Sequence, residues 1–167
     1  MNIPFEERLP FFVPGLVVLA FFYGIYFTKM FVQKRHGIQT RQIGKRKEKG
    51  LHRVETFMSL ATGSVVIVQL VSIAFDWNYM LSGARFTGFC VGMIGDFVFL
   101  ASVLFMKYSW RDGIPEKDKT KLVTYGIYKF SRNPAFLGFD MMYVGVLLMY
   151  FNPINAAFSL FAIVMLH

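Results

Sequence analysis

Cysteine is almost missing from this chain: Cys90 stands alone among 167 residues, so no disulfide can form within it and no thiolate cluster can hold a metal. Three histidines, His36, His52 and His167, are too scattered for metal-ligand spacing. Charge is scarce too. Only 17% of the residues are charged against 55% hydrophobic, with 20 Phe, more apolar surface than a soluble globule of this size can bury. Lipid must cover the remainder. Internal repeats and Ser- or Gly-rich linkers are also lacking, which leaves one domain and no solenoid or tethered module.

What is present is a series of long apolar runs. Segments 11–32, 56–75, 86–106 and 134–150 each approach the roughly 20 residues needed to cross hydrocarbon. A fifth, 153–167, would span only about 22 Å at 1.5 Å per residue, so it is expected to be re-entrant or cut short. The predicted fold is all-α: one polytopic helical membrane domain of about five transmembrane helices.

A formal net charge of +8 would suit nucleic acid, but its placement excludes that reading. Eight Lys/Arg fall between Gln33 and Val54 and seven between Lys107 and Pro134, whereas the two opposite segments hold only Arg8 and Arg85. This is the positive-inside pattern. It predicts an N-terminus outside, with loops 33–55 and 107–133 and the C-terminus in the cytoplasm. The stretch Lys45-Arg-Lys-Glu-Lys49 reads as a topogenic loop with weak attraction for anionic lipid. No small-x-small cleavage site follows the first run, so it is expected to be a retained span.

Trp77 and Tyr79 mark one end of the second span, and Tyr108 and Trp110 the opposite end of the third, where amphipathic rings favour headgroups. Gly88, Gly92 and Gly95 form a small-residue stripe expected to admit a neighbouring helix of the same chain. Asn133-Pro134 reads as an N-cap followed by Pro at the first helical position, and Asn152-Pro153 repeats the device. Segments 134–150 and 153–167 must then pair as an antiparallel hairpin. Gln69 is expected to bridge helices, Cys90 to pack, and His36 and His52 to be solvated.

Chemistry concentrates where the fourth span begins. Free N–H groups, the positive end of a helix dipole and the Arg132 guanidinium meet at Asn133, which suits a carboxylate or other anion. Gly126 allows a turn, and Tyr125 and Tyr128 offer faces for an adenine ring or a sulfonium. Composition alone equally allows an ordinary positive-inside loop beside an aromatic belt.

The ordered run Leu122-Val-Thr-Tyr-Gly-Ile-Tyr128-Lys-Phe-Ser-Arg132-Asn-Pro134-Ala-Phe-Leu-Gly138, with Trp110-Arg111 upstream, closely resembles the cofactor segment of integral-membrane methyltransferases. These are the enzymes related to isoprenylcysteine carboxyl methyltransferase and phospholipid N-methyltransferase, whose usual form reads L-V-T-x-G-I/P-Y-x-x-x-R-H-P-x-Y-L-G. The match covers about 30 residues. It implies an S-adenosylmethionine cofactor held by Leu122, Val123, Gly126, Tyr128, Arg132, Asn133 and Pro134. It also implies a lipophilic acceptor, carboxylate or amine, entering from the bilayer. Asn133 replaces the usual His and Phe136 a common Tyr, which removes a titratable group and a hydroxyl. The family's following tail, with its acidic pair, is expected to be missing after His167.

Two acids lie within the spans. Asp96 and Asp140 are costly in hydrocarbon unless they face the bundle interior. Arg132, Asn133 and Asp140 are the candidate catalytic residues: Arg132 to orient a carboxylate, Asn133 to fix the turn, Asp140 to take a proton from an amine acceptor. Two other classes stay open, a non-catalytic membrane module that binds lipid or a partner helix, and a small transporter. The latter lacks repeat symmetry or an interrupted helix pair. Neither the acceptor nor the oligomeric state is set by the sequence.

Overall fold

The computed structural model describes residues 5–41, 49–111 and 123–167. Lys45-Arg-Lys-Glu48 and Leu122 lie outside them. Five helices follow one another: α1 (Phe5–Arg35), α2 (Lys49–Ala74), α3 (Ser82–Met106), α4 (Pro134–Met149) and α5 (Pro153–Leu166). Among the described residues every regular element is helical, as backbone satisfaction in lipid demands. The stretches Pro10–Arg35, His52–Ala74 and Ser82–Ser109 are long and apolar enough to cross a membrane, while α4 and α5 are shorter apolar helices. At 16 residues, α4 is about 24 Å long and ends one residue short of the expected segment 134–150.

The helices alternate in direction. At one end, which carries both basic loops, the Gln33 side chain donates to the Trp110 carbonyl at 2.9 Å and Arg41 donates to Ser59 at 2.6 Å. At the other, Asn152 donates to Ser72 and to the Trp77 carbonyl, and the Tyr79 N–H reaches the Phe151 carbonyl at 2.8 Å. Arg85 pairs with Asp76 at 2.5 Å and lies over the Phe11 ring, and the Tyr150 hydroxyl donates to the Phe11 carbonyl.

The tightest helix pair is α3 against α4, and glycine makes it possible. A Cβ added to Gly145 would meet the Gly92 backbone at 2.5 Å, one on Gly88 the Gly145 carbonyl at 2.5 Å, and one on Gly95 the Gly138 carbonyl at 2.9 Å. Backbone therefore touches backbone along the stripe, and the expected intramolecular packing is observed. Val18, Phe22, Phe99, Phe139, Met142, Tyr143 and Val146 fill the core beside it, with the Phe22 and Phe99 rings stacked at 4.4 Å.

Two expectations need correction, and a third is met only in part. Trp110 does not present its ring to lipid but is 3% exposed, edge-on to Tyr26 and Phe99, because the chain turns inward at the end of α3. Gln69 is buried, yet its amide bonds to none of the described residues, so it is not the expected bridge. Asp96 faces the interior as expected, but neither carboxylate oxygen has a described partner.

Gly145→Leu is expected to destabilise the fold by about 1–3 kcal/mol through overpacking, seen as a lower unfolding midpoint in detergent. Gly63→Ala, where an added Cβ meets nothing within 4 Å, should leave the midpoint unchanged or slightly raised.

Candidate functional site

The site is assembled where the chain leaves α3 and re-enters at α4. Lys107 ends α3 with a positive φ of 49°, and a 3-10 turn (Lys107–Ser109) leads to buried Trp110. Thr40 donates to the Gln33 carboxamide oxygen at 2.6 Å, locking the amide that holds the Trp110 carbonyl. Arg111 donates to the carbonyls of Tyr108 and Trp110 at 2.6 and 2.9 Å. The exit from α3 is therefore pinned by α1.

On the return, a second 3-10 turn (Gly126–Lys129) lies against the end of α3. Gly126 has φ +65°, and an added Cβ would meet the Phe105 ring at 2.5 Å, so conformation and close approach both require glycine. Tyr125 stands edge-on to Phe105 at 5.9 Å. The Tyr128 hydroxyl lies 2.7 Å from the Ser102 hydroxyl. Burial raises the Tyr128 pKa above its ordinary 10.0, partly offset by the Ser102 hydrogen bond.

Asn133 caps α4 as expected: its side-chain oxygen accepts from the Phe136 N–H at 3.4 Å, and its own N–H donates to the Ser131 hydroxyl at 3.2 Å. Pro134, at the first helical position, is buried, whereas Arg132 and Asn133 are exposed. Among the described residues Arg132 has no hydrogen-bond or ion-pair partner, and at the start of α4 Pro134 has no N–H, the Phe136 and Leu137 N–H groups bond to Asn133, and only that of buried Ala135 is left over.

Asp140 lies about 9 Å deeper along α4. One of its carboxylate oxygens takes a hydrogen bond or ion pair from His167 Nε2 at 2.7 Å, and the other is buried with no described partner. The Phe136 ring stands edge-on to His167 at 6.2 Å.

Of the residues proposed from sequence, Gly126, Tyr128, Arg132, Asn133, Pro134 and Asp140 thus lie along one short path from the 3-10 turn into α4. Val123 is half-buried on the approach. Tyr128 turns toward α3 rather than toward Arg132, so its hydroxyl is engaged by Ser102. Sequence reasoning missed Ser102, Gln33 and His167. The last had a signal: equal steps from the turn at 151–152 set 167 opposite 136, one helical turn from 140.

Residues 87–167 match the family model described as the isoprenylcysteine carboxyl methyltransferase (ICMT) family. The interval runs from the first turns of α3 through α5 and takes in Ser102, Tyr128, Arg132, Asn133, Asp140 and His167, while α1 and α2 lie outside it. Neither the curated proteins nor the solved structures contain a match. Through α3 to α5 the chain is related to a family of methyltransferases, and its apolar helices suit an integral membrane protein.

Two outcomes test this geometry. Gly126→Ala is expected to cost about 1–3 kcal/mol, read as a lower unfolding midpoint with a blue-shifted tyrosine environment near Phe105. Because the fold holds the neutral Tyr128 phenol, its contribution is complete below pH 10 and is lost as pH rises through the raised value. Tyr128→Phe should flatten the decline of stability above pH 10 in denaturation curves.

Proposed function

We propose that this chain carries out S-adenosylmethionine-dependent methyl transfer to a lipophilic carboxylate or amine at the leaflet facing its basic loops, taken as the cytoplasmic one by the charge asymmetry. The observation that carries this reading is the free Arg132 guanidinium at the Asn133-capped start of α4, with the half-satisfied Asp140 carboxylate just inside. A cation with no partner among the described residues, at the positive end of a helix dipole, suits the carboxylate of an amino-acid moiety, and an acid with one bare oxygen suits a proton or ammonium.

The residues present fit the cofactor. Arg132 and the α4 N-terminus would bind its carboxylate and the exposed Tyr125 ring would flank its adenine or sulfonium, while Gly126 and the Tyr128–Ser102 contact would hold the turn that presents them. Bound there, the group supplies an electrophilic methyl on sulfur and departs as a neutral thioether. Such an in-line displacement needs no protein nucleophile, so the chain contributes alignment and exclusion of water. Pro134, Ala135 and Phe139 are buried behind the site, whereas Arg132 and Asn133 are exposed. A carboxylate acceptor needs no base. An amine acceptor must lose a proton, and Asp140 accepts it while His167 holds the carboxylate in place. With Asn rather than His at 133, no imidazole is required at the cap.

The test is transfer of a labelled methyl from S-adenosylmethionine into extracted lipids, using membranes that contain the protein. Arg132→Ala is expected to lower transfer at least tenfold, mainly through KM for the donor. Asp140→Asn should lower kcat for an amine acceptor and spare a carboxylate one. Normal membrane insertion with no labelled lipid would instead favour the non-catalytic membrane module.

A further inference from the structure

A groove of about 460 Å3 lies between α1 and α3. Its α1 side is a helical stripe, Ala20, Gly24 and Thr28, small enough to leave a shallow floor, and a Cβ added to Gly24 meets nothing within 4 Å. Leu100 and Leu104 form the facing wall. Lys29 is the one charged lining residue and sits toward the basic end of the bundle. Its ammonium lies over the Tyr108 ring at 5.8 Å, and Tyr108 in turn packs on His36 with ring centroids 4.9 Å apart.

The groove is not the methyl-transfer site seen from another side. At 100° per residue, Leu100 and Leu104 each lie about 160° around α3 from Ser102, the residue that meets Tyr128. The two features therefore occupy opposite faces of the helix.

We propose that this groove binds an anionic glycerophospholipid, with one acyl chain along the Ala20–Gly24–Thr28 floor and the phosphate on Lys29. Shape and charge agree on this occupant. The lining is otherwise apolar or weakly polar, and its volume falls within the usual range for small-molecule sites. Lys29 has no carboxylate partner among the described residues. Lys34 and Arg35 are exposed one to two turns further along α1, and α1 has no acid after Glu7. The one acid of α3, Asp96, is fully buried. A second copy packed by two-fold symmetry on the same stripe would set two Lys29 ammoniums against each other in an apolar interface, which disfavours that occupant.

The proposal is independent of methyl transfer and is tested by native mass spectrometry of delipidated protein offered equal dioleoylphosphatidylglycerol and dioleoylphosphatidylcholine. One phosphatidylglycerol should be retained preferentially, by about fivefold, the effect of one cation at an anionic headgroup. Lys29→Ala should abolish the preference, Lys29→Arg should keep it, and Gly24→Phe, which fills the floor, should remove the bound lipid. Unchanged S-adenosylmethionine binding in both Lys29→Ala and Gly24→Phe would support separate sites. Equal retention of the two lipids, a preference that survives Lys29→Ala, or a dimer that dissociates on Gly24→Phe would overturn it.

Discussion

The architecture depends on the backbone-to-backbone approach of α3 and α4. Without a hydrophobic force between helices in lipid, association rests on close packing, and Gly88, Gly95, Gly138 and Gly145 remove the side chains that would hold the two apart, while Gly92 makes room for Val18 of α1. This approach sets more than stability. With the two axes fixed, the chain between them must cross a short gap at the basic end, and that crossing places the 3-10 turn, Arg132 and the α4 cap beside one another.

Local contacts then fix both described ends of this connection. Gln33 grips the Trp110 carbonyl from α1, so the chain leaves α3 in a fixed direction. Gly126 lets the returning backbone lie on Phe105, and Ser102 anchors Tyr128. Asn133 satisfies the Phe136 N–H with its side chain and the Leu137 N–H with its carbonyl, so the α4 start offers a ligand its dipole and the neighbouring Arg132 rather than a row of donors. The hairpin to α5 brings His167 onto Asp140 from the far side. Rigid helices thus carry the acid, while the cation stands on the loop.

Much of this was legible in the sequence because it depends on local chemistry. Apolar runs gave the helices, the two Asn-Pro pairs marked where α4 and α5 begin, and the glycine stripe pointed to a close contact of α3 with a neighbouring helix, though not to α4 as its partner. The ordered run from Leu122 to Gly138 located the candidate site. What escaped depends on contacts distant in sequence. Trp110 looked like an interfacial anchor, since nothing local shows that the chain turns inward to bury it against Tyr26. Gln69 looked like a bridge, since a sequence cannot show whether a partner faces it. Ser102 is an unremarkable hydroxyl until the return of residues 126–129 sets Tyr128 on it.

The central claim is that Arg132 and the α4 terminus recognise the carboxylate of the methyl donor. Calorimetric titration of the purified protein with S-adenosylmethionine, and with the analogue lacking only that carboxylate, tests it most directly. The account predicts that the decarboxylated compound binds at least tenfold more weakly, and that Arg132→Ala erases the difference between the two. Equal affinity for both compounds would contradict it.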